Sequence, residues 1–389
     1  MKISDANRLR ILYFLVFSCT ASWLPIFAEF LQDKGLSGIK TGIVLSVTPL
    51  MMFLVQPFYG MLADRFGIKK CLLLSSILAS LAFLLYLADG GFFWLLLITI
   101  FMSVFYNSLQ PLLDSLSLKL AQQNKQFSYG TLRIAGAAGW AATGMVVGYY
   151  IDAMSTTVIF VFAAVALLLT FIFSITLKES NERITKASNA FLNTKQVFGN
   201  RILVFLLFTV FLISACGTAI WNFYSIYMKE NGASASVVGI GISFQGLCEL
   251  PFFYFSARII NHFGLRTTLL ITVFATAVRL LLYSLVSNPY VALSIEVLHG
   301  ISWSLFWVVC VEYVNKLVPG EWRVTGQSLL YATYFGIGTI AGNMWTGYLY
   351  DTGMKVGEIF LINAGIVLGA VLLIIVFLKK PQDLKHIGT

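Results

Sequence analysis

The sequence predicts an all-α membrane protein, with twelve membrane-crossing helices in two pseudo-symmetric six-helix halves. Three observations predict it. The 389 residues are 58% hydrophobic and only 11% charged, where a soluble domain carries roughly 25% charged residues; mean hydropathy is +0.84. Apolar runs of about 20 residues, the length that crosses a bilayer, recur between short polar links. Landmarks also repeat at nearly one offset. DRFGIKK around Gly67 is matched by NHFGLRT around Gly264, 197 residues on, and GYYID ending at Asp152 by GYLYD ending at Asp351, 199 on. Two such anchors indicate a duplicated unit.

The first apolar segment, 10–31, follows Lys2, Arg8 and Arg10. That start resembles a secretion signal, but the run is too long, lacks a small-residue cleavage site and leads into further spans. Segments two to six fall at 40–63, 69–88, 92–121, 129–151 and 156–177. The polar stretch KESNERITKASNAFLNTKQ, 178–196, separates them from segments at 201–228, 235–258, 266–287, 290–317, 325–349 and 356–378. The expected organisation is a first bundle over 1–177, a cytoplasmic linker over 178–196 and a second bundle over 197–389. Gly136, Gly139, Gly144 and Gly148 in segment five, and Gly338, Gly342 and Gly347 in segment eleven, predict close helix approach. Pro25, Pro49, Pro57, Pro111 and Pro251 lie inside spans and predict bends.

Placing the N-terminus in the cytoplasm puts 21 of the 26 Lys and Arg at cytoplasmic helix ends, as the positive-inside rule requires. Both termini are then cytoplasmic, in a multi-pass protein of the cell membrane. The net charge of +9 reflects those ends rather than nucleic-acid binding. Five cysteines, an odd number, all lie in apolar runs without a C-x-x-C pair, so neither a disulfide framework nor a metal site is expected. With no nucleotide-binding loop and no nucleophile constellation, no enzyme and no cofactor are expected.

Charges inside the apolar runs carry the functional signal. Asp114 lies about seven residues before the end of segment four, and Arg133 about four after the start of segment five. At ~1.5 Å per residue these depths are roughly 10 and 6 Å, so an antiparallel pair brings them to a similar level. A membrane-embedded charge costs at least ~2.5–3.5 kcal/mol and faces a partner or a watery cavity. The pair therefore reads as part of a solute site, with a structural ion pair as the alternative.

Segment two closes with GMLADRFGIKK. It resembles the G-x-x-x-D-R-x-G-[RK]-[RK] signature of the major facilitator superfamily, whose fold is two six-helix halves that rock about a central site. The resemblance implies a conformational gate at Gly60, Asp64, Arg65 and Gly67. Within that superfamily, Asn107, PLLD ending in Asp114, FSYGTLR ending in Arg133 and GAAGW ending in Trp140 resemble the sugar-binding stretch of lactose permease. Asp stands where that family has Glu, and the link is one residue longer. Glu249 in GLCELPF, Arg279 in TAVRLL and His299 in EVLHGIS continue the match. The same landmarks resemble the 3-phenylpropionate transporter family, with closer agreement at PLLD and LHG.

What the resemblance implies is substrate binding by Asn107, Asp114, Arg133 and Trp140, completed by Glu249 and His299 from the other half. The chemistry agrees, because carboxylate and guanidinium groups pair with neighbouring hydroxyls. Lactose permease carries an acid three residues after its histidine, where this chain has Ser302. Glu296 lies three residues before His299 instead, on a shared helix face. Glu296, Glu249, Arg279 and His299 are therefore the expected proton-coupling groups, with Glu296 first. The expected function is proton-coupled uptake of a small organic solute, a sugar or glycoside, by a monomer in the lipid bilayer. Alternatives are uptake of an aromatic or other organic acid, proton-driven efflux, and a receptor or scaffold that moves nothing.

Overall fold

In the computed structural model, described over residues 4–123, 129–177, 200–318 and 323–378, every regular element is helical. The elements are α1 Asp5–Asp33, α2 Gly38–Phe66, α3 Ile68–Leu85, α4 Phe92–Gln123, α5 Tyr129–Ala153 and α6 Val158–Ile175. They continue as α7 Arg201–Glu230, α8 Ala235–Phe263, α9 Leu265–Leu285, α10 Pro289–Leu317, α11 over 323–351 and α12 Val356–Phe377. Eleven are long and apolar enough to cross a membrane. The other, α11, is continuous but rich in Gly and Thr, and its middle, Ala332–Gly338, is a π-helix. Phe93 is 80% exposed and Leu285 70%, outward apolar surface that suits lipid. The predicted linker 178–196 lies outside the described residues.

The chain divides into two compact units. The first holds the described residues through Leu177 together with Ser234–Ser243, and the second holds Asn200–Ala233 and the residues from Phe244 on.

In the first unit, Ser4 opens α1 by accepting the Asn7 N–H. Pro25, which has no N–H to continue the ladder, sits in a 3₁₀ turn at Leu24–Ile26 and divides α1. The core is aromatic: Trp23, Phe27, Phe30, Phe83, Tyr86 and Phe160 are fully buried, with Tyr86 and Phe160 stacked at 4.3 Å. Apolar burial drives little between helices in lipid, so contact geometry and hydrogen bonds hold the bundle. The α5 glycines supply the contact. A Cβ on Gly139 would lie 2.3 Å from the Phe14 carbonyl of α1, and one on Gly148 2.5 Å from the Ala235 carbonyl. At the end of α5, Asp152 accepts the Ala235 and Ser236 N–H groups and the Ser236 hydroxyl, capping α8.

The second unit uses the same devices. A Cβ on Gly342 of α11 would lie 2.3 Å from the Ala215 carbonyl of α7. Asn222 donates to Asn343 at 2.7 Å, and Asn363 donates to the Cys216 carbonyl. Glu230 accepts the Val356 N–H and starts α12. The duplicated anchors have matching backbones: Gly67 and Gly264 join α2 to α3 and α8 to α9 at φ +92° and +78°, a region that side chains avoid.

Candidate functional site

In the first unit, α1, α4 and α5 bring five groups together. The Asp114 carboxylate accepts from Tyr13 at 2.7 Å and from Tyr129 at 3.0 Å. The Arg133 guanidinium lies over the rings of Phe17 and Tyr129, at 5.7 and 5.9 Å. Tyr129 thus touches both charges, its hydroxyl on the acid and its ring beneath the cation. No carboxylate lies within ion-pair distance of Arg133 among the described residues, so the structural ion pair considered from the sequence does not form. Gly136 leaves room for this arrangement, since a Cβ there would lie 2.8 Å from the Phe17 ring.

The neighbouring candidates are engaged in packing. Asn107 donates to the Thr48 carbonyl of α2 at 2.9 Å. Trp140 donates its indole N–H to the Ile242 carbonyl at 3.3 Å and stays part-exposed. Of the gate residues, Arg65 lies over the Phe66 ring at 5.3 Å, and Gly67 ends α2. Gly60 and Asp64 fall within α2, but beyond that placement they lie outside the described residues.

The second unit brings Glu249, Arg279, Glu296 and His299 into one chain of hydrogen bonds. Gly300 allows it: a Cβ there would lie 2.3 Å from the Cys248 carbonyl of α8. Arg279 donates through Nη2 to Glu296 Oε2 at 2.5 Å, and its Nη1 lies 2.7 Å from His299 Nδ1. Tyr283 donates to Glu296 Oε1. His299 Nε2 lies 2.9 Å from Glu249 Oε1.

Donor logic fixes the imidazole. Guanidinium has no acceptor, so His299 Nδ1 accepts from Arg279 and the ring proton sits on Nε2, donated to Glu249. His299 is therefore neutral, and protonating Nδ1 would expel Arg279. Glu296 is sealed, with 0% of its side chain exposed, and Arg279 has 4%, while Glu249 keeps 25%. With both acids ionised these four groups sum to a formal charge of −1, and a proton on Glu249 brings the sum to zero with the Arg279–Glu296 pair intact.

The geometry around these groups was not legible in the sequence. Tyr283 follows Arg279 by one helical turn, a spacing that could have revealed it. Tyr13 and Phe17, on a different helix from their partners, left no such trace. Helix α10 is also irregular around the site, passing from a 3₁₀ turn at Glu296–Leu298 into a π-helix at Gly300–Leu305.

A family model, the MFS_1 like family, matches residues 6–362. Among similar proteins, the maltose permease of Geobacillus stearothermophilus is 26% identical, over 95% of this chain and 94% of that protein. The sucrose permease of Escherichia coli is 28% identical, over 95% and 92%. A crystal structure of the nucleoside transporter NupG superposes with a TM-score of 0.87 at 16% identity, over 96% of this chain and 98% of that one. That last likeness concerns fold alone.

Proposed function

Because the chain belongs to the MFS_1 like family, and is thus a multi-pass membrane transporter of the major facilitator fold rather than an enzyme, we propose that it is a proton-coupled, alternating-access symporter that takes up a small hydroxylated solute, a sugar or glycoside. It resides in the cell membrane as a monomer with both termini cytoplasmic, the orientation that the Lys and Arg distribution favours. The sugar permeases among its relatives support the substrate class.

The observation that carries this reading is the Glu249–His299–Arg279–Glu296 chain, which runs from a part-exposed acid to a sealed one. Glu249 accepts the proton and becomes neutral, which brings the four groups to zero formal charge. Arg279 stays paired with Glu296 throughout, so the sealed ion pair is a fixed counter-charge. This reverses the order expected from the sequence, which put Glu296 first. In the first unit, Asp114 supplies acceptors and Arg133 donors to adjacent hydroxyls, and the part-exposed Trp140 ring offers a face to an apolar ring surface. Arg65 and its neighbours at the end of α2 govern conformational exchange.

The test is accumulation of radiolabelled maltose, sucrose and methyl α-D-glucoside in proteoliposomes, with and without an imposed proton gradient. The parent accumulates at least one sugar, and a protonophore abolishes this. Glu249→Gln loses accumulation but keeps exchange, which needs no deprotonation. Sugar uptake indifferent to the gradient would refute symport, and accumulation by Glu249→Gln would refute the assignment of the proton.

One observation favours a second reading. Arg133 contacts ring faces and, among the described residues, no carboxylate, an arrangement ready for an aromatic acid. Inhibition by 3-phenylpropionate, with no inhibition by any sugar, would select it.

A further inference from the structure

The second unit holds a feature that proton coupling does not use. His299, Trp303 and Trp307 recur every fourth residue on α10, and Tyr331 and Phe335 are likewise four apart on α11. Residues at this spacing share a helix face, and here the two faces meet. Trp221 of α7 sets its ring edge-on to His299 at 5.2 Å and to Trp303 at 5.3 Å. Trp303 stacks on Trp307 at 5.8 Å, and Trp307 meets Tyr331 at 4.8 Å and Phe335 at 5.1 Å. The result is a continuous wall of five rings from three helices, starting at the imidazole that binds Glu249.

Three facts separate this wall from ordinary packing. First, its rings are not sealed. Trp221, Trp303, Trp307 and Phe335 are half-buried and Tyr331 is 45% exposed, whereas the aromatic core of the first unit is closed. Second, it lies at the wrong depth for the aromatic belts that mark membrane interfaces. His299 and Trp307 are 10 and 18 residues into α10, roughly 15 and 27 Å along a helix about 44 Å long, so the wall occupies mid-span. Third, two of the three helices that carry it have π-helical segments there, at Gly300–Leu305 and Ala332–Gly338. Such segments are rare and concentrate at functional sites. Glu249 at the head of the wall is a part-exposed acid, which belongs beside water rather than hydrocarbon. The wall therefore begins beside a group that needs water.

We propose that this wall binds a planar ring covalently linked to the sugar, so that the transported solute is a ring-bearing glycoside rather than a plain sugar. The inference rests on the sugar reading above. The hydroxylated part lies at the Glu249 end of the wall, and the planar part lies along Trp303, Trp307 and Tyr331. Aryl glycosides and nucleosides share this chemistry, and the experiment separates them.

Binding to the purified transporter is measured by titration calorimetry for methyl α-D-glucoside, 4-nitrophenyl α-D-glucoside and adenosine. At least one ring-bearing ligand binds about tenfold or more tighter than methyl α-D-glucoside, the scale of one good ring–ring contact. Trp307→Leu removes that advantage and leaves methyl α-D-glucoside binding unchanged, which also shows that the variant is folded. Trp307→Phe retains most of it. Should Trp307→Leu fail to fold, Tyr331→Leu, at an exposed position, makes the same test. Preference for 4-nitrophenyl α-D-glucoside assigns an aryl glycoside, and preference for adenosine a nucleoside. Sugars bound without ring preference, or a preference untouched by both Leu variants, overturn the wall and leave the sugar reading standing. Binding of 3-phenylpropionate that needs Trp307, with no sugar bound in any arm, overturns the sugar reading and this ligand class with it. No binding in any arm overturns both.

Discussion

Replacing Arg279 with Met tests whether the sealed ion pair in the second unit is a single unit of structure. Arg279 and Glu296 have 4% and 0% of their side chains exposed, so the variant leaves a carboxylate buried without its cation. Breaking a buried pair from one side costs about 3–5 kcal/mol. His299 Nδ1 also loses its donor, adding about 1–3 kcal/mol. The double variant Arg279→Met/Glu296→Met removes both charges and should recover most of the loss, because apolar replacement of a buried pair is often neutral. A thiol-reactive dye reads this directly, since Cys19, Cys71, Cys216 and Cys310 are buried until the protein opens. Unfolding in detergent is irreversible for many membrane proteins, so half-life at one temperature is the quantity to compare. If the whole loss appears in the unfolding rate, Arg279→Met shortens the half-life by roughly a thousandfold or more, and the double variant restores most of it. A single variant as long-lived as the parent, or a double variant no better than the single, would refute the reasoning.

Asp114→Asn and Arg133→Gln should each abolish solute binding in a folded, inserted protein; calorimetry on the purified variants checks this. Asp152→Ala removes the cap of α8 and should cost about 0.5–2 kcal/mol, seen as faster amide exchange at Ala235 and Ser236. Gly139→Val drives its side chain into the Phe14 carbonyl, and overpacking of about 1–3 kcal/mol should appear as a lower melting temperature. The Lys34 ammonium beside Asp89 holds that carboxyl below its usual range. A depressed carboxyl stabilises the fold above its unfolded pKa, about 3.9, and that stabilisation fades as pH falls through the lower folded value. Lys34→Gln should therefore flatten the acid side of the melting profile.

Composition and periodicity made the helices and their duplication legible, because a bilayer demands long apolar runs and a repeat leaves paired landmarks. Gly67 and Gly264 could be matched from sequence alone, and both adopt the same left-handed link. The charged residues were legible as well, since hydrocarbon makes any charge conspicuous. Their partners were not. Tyr13 and Tyr129 are ordinary residues in an aromatic-rich chain, and only folding puts their hydroxyls on a carboxylate. The same limit hid the role of Trp140, whose indole N–H serves a backbone carbonyl. It also hid the π-helical segments, which depend on how α10 and α11 pack rather than on local propensity.

Four of the five thiols are buried, and Cys248 alone is part-exposed. It precedes Glu249 directly, and its carbonyl is the group that Gly300 approaches. The native chain therefore carries one favoured attachment point for a spectroscopic label, beside the acid assigned to the proton. Occupancy of that region can be followed by protection from alkylation, without first stripping the other cysteines from the core.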